Sequence, residues 1–435
     1  MQDSNNIPTG NTVTIILAGF QWLFFIFVNV VVVPVSIGQA FHLPLSIVSL
    51  SIERAFIYTG IACLLQATVG HRLPLMEGPA GLWWGVILSL AASTESAGQS
   101  LQTLGSSIGI GIILSGIFII LWGVLGLGWV FRRIFTPSVT ATFYFLLAVQ
   151  LTQLFFKGMI GLDNSPIISV DVALLSLGIV TLVLTLNMWG RGLISNFAPL
   201  IGIIVGWIAF SILFPRYSTP FSLATPTSWL LLFPWGTPTL NFGFIVIIVL
   251  IGFISITNTY VTLEGAEKLF HTPISPKQYK YSFVITGFST IVAGIFGLVP
   301  YGPYASSLGF LRTTRILSRK PFFIGAGLFM LLGAIPALGQ LLASLPLSMG
   351  DAVLFTAYLQ LFGLALDSVK SLAFSYKHIY RIAVPVLLGL SLMAVPAPAF
   401  STIPAYIRPL LQNGLVVGII LAMLLEHSIR WEQKK

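Results

Sequence analysis

Apolar runs of membrane length recur from Ile15 to Leu425, separated by short stretches that hold Pro, Gly and charged residues. The runs are apolar on every face rather than striped at helical spacing, as expected of helices surrounded by lipid or by other helices. A crossing helix needs roughly 20 apolar residues, and on that rule the chain divides into about fourteen spans. Ile15–Gly38 is the first, Arg54–Val69 the second, Gly78–Ala92 the third and Phe242–Leu263 the eighth. Tyr304–Leu311 is the tenth, Pro321–Leu345 the eleventh and Ala352–Leu372 the twelfth. An even number returns both termini to one side.

The third and tenth spans are too short to cross unaided and are entered through Gly and Pro, at 73–81 and 298–304. They are corresponding members of two seven-helix halves, residues 1–234 and 235–435. Seven is odd, so the second half starts from the opposite side and is inverted. Paired interrupted spans in inverted halves point to a transporter site near mid-membrane. Their irregular backbone persists only where protein or water satisfies it, and their helix N-termini offer free amides.

Composition agrees. The chain has 435 residues, 56% hydrophobic and 8% charged, where a soluble domain carries about a quarter charged residues. Its net charge of +9 reads as loop charge that sets orientation, not as a nucleic-acid surface. Arg72, Arg132, Arg133, Arg191, Lys268, Lys277, Lys280, Arg312, Arg315, Arg319, Lys320, Lys370, Lys377, Arg381, Arg430, Lys434 and Lys435 fall on the terminal side. Only Lys157, Arg216 and Arg408 oppose them, with Arg54 at a helix end. The expectation is a multi-pass cell-membrane protein with both termini cytoplasmic. The first ten residues lack Lys and Arg, so the first run is expected to stay as a helix rather than be cleaved. The single Cys63 excludes an internal disulfide framework. No Gly-Lys-Ser phosphate loop, HExxH or catalytic triad is present, so neither an enzyme nor a cofactor is expected. His271, His378 and His427 are too scattered to bind a metal.

Gly19-Phe20-Gln21-Trp22 leading to Val33-Pro34, the stretch from Pro74 to Trp83, the run from Gly287 to Gly297, and Gly309, Thr314 and Arg315 together resemble the nucleobase–ascorbate transporter family of uracil and xanthine permeases. The resemblance runs over nearly the whole chain and is most specific in the ninth span and the signature after it. It implies a core domain from spans one to four and eight to eleven, and a gate domain from spans five to seven and twelve to fourteen. Short strands in spans three and ten would pair at the centre, with substrate between core and gate. It also implies import of a purine or uracil-like base with a proton, often by a homodimer.

The sequence departs from the pattern at the site itself. The signature's acidic or amide residue is Ser306 and its Asn is Ser307; the eighth-span carboxylate falls at Thr257 or Asn258. The third-span aromatic is replaced by Gly81 and the first-span His by Trp22, while Tyr304 is retained. A flat base needs edge partners and an apolar or aromatic face. Amides near Ala305, the hydroxyls of Ser306 and Ser307, and Asn258 suit the edge; Tyr304 suits a face or a hydroxyl contact. Asn29 lies mid-way along the first span and faces the same region on the family alignment. Helix packing is the plainer reading of Ser306, Ser307 and Thr257, as it is of Trp22, Trp83 and Trp84. Glu77 at the third-span break is a candidate proton carrier, because an ionisable residue at membrane depth is functional by default. Its plainer reading is a surface carboxylate paired with Arg72. Asp367 has a similar choice, between an i,i+3 pair with Lys370 and a gate contact. Glu53 and Arg54 read as interfacial. A facilitator or small-anion carrier without proton coupling is the alternative function, since an anion suits a site with helix N-termini and no carboxylate.

Overall fold

A computed structural model describes residues 12–96, 98–127, 134–162, 167–190, 193–215, 228–370, 376–404 and 407–429. Arg132, Arg133, Arg191, Arg216, Arg430, Lys434 and Lys435 lie outside the described residues, as do the side chains of Lys377 and His378.

The first half holds α1 (Thr12–Ala40), α2 (Leu45–Thr68), β1 (Glu77–Pro79), α3 (Gly81–Ser96), α4 (Leu101–Leu125), α5 (Pro137–Met159), α6 (Val170–Trp189) and α7 (Leu193–Leu213). The second half opens with α8 (Phe242–Phe270), α9 (Pro276–Phe296), β2 (Tyr301–Pro303) and α10 (Ser306–Thr314). It continues with α11 (Arg319–Gly333), α12 (Pro336–Ala343), α13 (Leu347–Tyr358), α14 (Gln360–Val369), α15 (Tyr376–Ala394), α16 (Arg408–Gln412) and α17 (Gly414–Ser428). Eight segments, α13 and α14 counted together, are long and apolar enough to cross a membrane. The α11–α12 pair adds one crossing bent by 83°, and α3, α7, α15 and α17 contain shorter apolar helices. With β2–α10 these make about fourteen segments in the predicted order.

The packing repeats between the halves. Helix α4 lies along α8 and α9, and its counterpart α11 lies along α1 and α2. Helix α6 pairs with α7 as α15 pairs with α17, and α5 packs against α13 and α14. The α4–α9 seam is a glycine seam. A Cβ on Gly116 would stand 2.6 Å from the Gly287 carbonyl oxygen, and one on Gly287 equally close to that of Gly116. Backbones approach this closely only where side chains vanish.

The two broken spans meet at the centre. Strand β1 pairs antiparallel with β2, with Glu77 opposite Pro303, Gly78 opposite Gly302 and Pro79 opposite Tyr301. The Ala80 amide donates to the Pro300 carbonyl and the Tyr304 amide to the Met76 carbonyl, both at 2.9 Å. Each break thus satisfies the other's backbone, which lipid cannot do. Nine residues of α10 span only about 14 Å, so this segment crosses as strand plus half-helix.

The structure moves three sequence expectations. Helix α2 begins at Leu45, so Glu53 and Arg54 lie inside it, and both are buried rather than interfacial. The Arg54 guanidinium donates to the carbonyls of Phe296 (3.1 Å), Trp229 (2.7 Å) and Leu231 (2.8 Å). The segment before α8 folds back to supply two of these oxygens, an arrangement that loop composition does not reveal. Arg381 is a helical residue rather than a loop charge, and it forms a two-point ion pair with Glu426 of α17. The eleventh span is broken near Pro336, whose ring cannot continue the α11 hydrogen-bond ladder.

Candidate substrate site

The strand pair ends where two helices begin. Helix α3 starts at Gly81 and α10 at Ser306, and their first turns open onto one cavity with an empty volume of about 670 Å³. First-turn amides have no intrahelical acceptor, and the α10 N-cap residue, Ala305, supplies no side-chain cap. Among the described residues, no Asp, Glu, Lys, Arg or His lines the cavity.

Six of the sequence-named residues line it: Asn29, Gly81, Asn258, Tyr304, Ala305 and Ser306. Most of their donors are already engaged. The Asn258 Nδ2 donates to the Pro303 carbonyl at 2.8 Å, and the Asn29 Nδ2 donates to the Phe25 carbonyl at 2.7 Å. The Tyr304 hydroxyl donates to the Pro79 carbonyl, with the Asn29 carbonyl 3.3 Å away. Tyr304 therefore ties α10's approach to β1 and α1.

Three named residues do not line the cavity. Thr257 is fully buried, and its hydroxyl has no hydrogen-bond partner among the described residues. Of the two alignments for the eighth-span carboxylate, the cavity position belongs to Asn258. Ser307 is also fully buried, and its hydroxyl accepts from the Met76 amide at 3.1 Å, which clamps the start of β1. Glu77 is buried behind β1, while Arg72 is exposed, so the surface-pair reading is overturned. Gln66 Nε2 donates to Thr286 Oγ1 at 3.0 Å, and that hydroxyl donates to Glu77 Oε1 at 2.5 Å. Glu77 Oε2 has no partner among the described residues. The Cys63 thiol lies 3.3 Å from both the amide nitrogen and the carbonyl oxygen of Glu77.

The opposite wall comes from helices in which sequence reading named no cavity residue. Phe143, Tyr144 and Leu147 project from α5, Ala357 and Tyr358 from α13, and Leu361 and Leu364 from α14. A Cβ on Gly81 would meet Tyr358 Cε1 at 3.1 Å and its hydroxyl oxygen at 3.2 Å. The tyrosine thus occupies the space that a third-span aromatic would fill. Its signal in the sequence was slight: a tyrosine just before the α13–α14 join. Trp22, Trp83 and Trp84 are buried in helix packing, and Trp84 Nε1 donates to Ser36 Oγ at 2.7 Å.

A wider vestibule of about 1,710 Å³ adjoins the cavity, and Tyr144, Ala305, Ser306 and Leu364 line both. Its wall includes Glu264, Lys268, Arg312 and Asp367. Asp367 is paired with Lys370 on its own helix face at 2.5 Å, as the plainer reading held.

A family model described as "Permease family" (Xan_ur_permease) matches residues 13–398. "Putative purine permease YwdJ" of Bacillus subtilis (strain 168) is 30% identical over 434 residues, covering 97% of each chain. "Uric acid permease PucJ" of the same organism is 26% identical, covering 95% of this chain and 92% of its own. Among solved structures, the transmembrane domain of a cyanobacterial bicarbonate transporter, BicA, superposes with a TM-score of 0.63 at 16% identity, covering 96% of this chain and 99% of that one. The murine Slc26a9 anion transporter in its inward-facing state also gives 0.63, at 13% identity, covering 96% and 68%. At these identities the two structures show the fold.

Proposed function

This chain belongs to the permease family (Xan_ur_permease), and on that premise we propose that it is a secondary transporter that imports a purine or uracil-like nucleobase by alternating access. As a permease it is a multi-pass membrane protein and not an enzyme. The observation that carries the proposal is the neutral cavity between two helix N-termini at the crossing of the broken spans. Midplane sites of this construction are the hallmark of inverted-repeat transporters. Residues 1–234 and 235–435 are taken as the two repeats. Spans one to four and eight to eleven form the core, and the remaining spans form the gate that rocks against it. The repeated packing pattern supports this division.

The residues assigned to substrate are Asn29, Gly81, Asn258, Tyr304, Ala305 and Ser306. Thr257 and Ser307 stand behind them as supports. Proton symport is assigned to Glu77, which acts through β1 because its side chain does not line the cavity. The unpartnered Oε2 supports that assignment. Glu77→Gln keeps the shape and removes the titration, so uptake by the variant is expected to lose its pH dependence at normal expression. Unchanged proton-driven uptake would defeat the assignment. That no acidic side chain lines the cavity among the described residues favours a second reading, an uncoupled facilitator or small-anion carrier. Wild-type uptake that resists a protonophore would select it. The Lys and Arg distribution supports cytoplasmic termini, and a homodimer is the expected assembly.

Uptake of labelled uracil, xanthine and hypoxanthine in cells lacking their own permeases tests the proposal. Saturable uptake of at least one is expected; anion flux without any base uptake would reject it.

A further inference from the structure

Away from the cavity, the end of α4 and the start of α9 enclose a second hollow, with an empty volume of about 1,070 Å³. Its floor is aromatic, from Trp122 of α4, Tyr260 of α8, and Tyr279 and Phe283 of α9. The Tyr260 ring stacks on Tyr279 at 5.5 Å and tilts against Phe283 at 4.9 Å. Two exposed cations stand on the rim, Lys277 and Lys280, about one turn apart on α9. Among the described residues no Asp or Glu lines the hollow, and neither lysine pairs with a carboxylate. Glu267 is engaged elsewhere, its Oε1 accepting from the Ile274 amide at 2.8 Å. Helix α4 ends and α9 begins here, so their opposite dipole ends offset each other, and the lysines set the local charge.

An apolar track leads out of the hollow. Leu114, Ile117, Leu121 and Val124 recur at spacings of three and four along α4 and are 42–52% exposed, and Val124 lines the hollow. On a helix that crosses the membrane, such a stripe faces lipid chains. Interfacial lysines are ordinary in membrane proteins. Here a pair without a protein counter-charge overhangs an aromatic-floored space that opens onto the lipid-facing stripe.

We propose that this hollow binds one anionic phospholipid, its phosphate between Lys277 and Lys280 and an acyl chain along Val124 and Leu121. Basic pockets between helices on the cytoplasmic side hold anionic headgroups in this way, and this end of the bundle carries most of the Lys and Arg. A soluble anion would gain only from the lysines, and a neutral phospholipid only from the track. No residue lines both this hollow and the central cavity, so the proposal stands whatever base is carried.

The test uses the purified full chain in detergent. Phosphatidylglycerol, phosphatidylcholine with the same acyl chains and glycerol 3-phosphate are titrated, with the unfolding midpoint and native mass spectrometry as readouts. Phosphatidylglycerol is expected to raise the midpoint and to remain bound at one molecule per chain, at least tenfold more tightly than phosphatidylcholine. Lys277→Gln with Lys280→Gln should weaken phosphatidylglycerol at least tenfold, at about fivefold per cation, and leave the lipid-free midpoint unchanged. Arginine at both positions should keep the affinity within threefold. Lys320→Gln, which removes an exposed cation at the start of α11, should change it less than twofold. Equal stabilisation by phosphatidylcholine overturns headgroup selection, and equal stabilisation by glycerol 3-phosphate overturns a lipid as the occupant. Undiminished binding in the double glutamine variant, or the same loss in Lys320→Gln, overturns the placement at Lys277 and Lys280.

Discussion

Replacing Gly287 by Ala adds one methyl to the glycine seam between α4 and α9. Its Cβ would stand 2.6 Å from the Gly116 carbonyl oxygen, 2.7 Å from Ile120 Cγ1 and 2.9 Å from the Ile120 amide nitrogen. Ordinary contact begins near 3.4 Å, so α4 and α9 must part by 3.4 minus 2.6, or about 0.8 Å. Two of the three obstructing atoms are backbone, so side-chain rotation cannot relieve the clash. Overpacking of this kind costs about 1–3 kcal/mol, against a gain of roughly 0.5–1 kcal/mol from placing Ala in a helix. The net expectation is a loss of up to about 2.5 kcal/mol, centred near 1. Gly178 on α6 is the internal control: a Cβ there meets nothing within 4 Å, so Gly178→Ala should be neutral or slightly stabilising. The assay is thermal unfolding of the purified protein in detergent, with chromatography confirming a single species. Gly287→Ala should unfold at a clearly lower temperature than both wild type and Gly178→Ala. Equal midpoints for the two variants would refute the glycine seam.

Asn258→Ala removes both the 2.8 Å hydrogen bond to Pro303 and an acceptor on the cavity wall. At about 1–3 kcal/mol for a lost buried bond, the KM for a transported base should rise between about 5- and 150-fold; an unchanged KM in an uptake assay would exclude Asn258 from the site. Arg54→Met keeps length and removes the donors to three carbonyls. A loss of roughly 3 kcal/mol is expected, visible as a lower unfolding midpoint with unaltered substrate selectivity; a stable variant would show that the carbonyls find other partners.

The crossings, their order and the two breaks were legible because lipid imposes length and apolarity on each span separately. The wall formed by α1, α3, α8 and the start of α10 was legible too. Gly81, Ala305 and Ser306 sit where Gly and Pro interrupt a helix, and Asn29 and Asn258 are conspicuous amides in apolar runs. The wall formed by α5, α13 and α14 was not. Tyr144 lies inside one apolar helix and Tyr358 at the last residue of another, and only tertiary packing decides which face meets the cavity. Long-range partners were equally hidden. Glu77 is held by Thr286, 209 positions away, and no local pattern distinguishes that environment from a pair with Arg72. Arg54 reads as terminal because a charge seldom lies inside a span; two of its three partners arrive from a loop about 175 residues later.

The most direct measurement is a structure of the protein with xanthine bound. The account places the base in the cavity between α3, α5 and α10, with its edge on Asn258 and Ser306. Xanthine bound at another surface, such as the hollow beside Lys277 and Lys280, while this cavity stays empty, would contradict it.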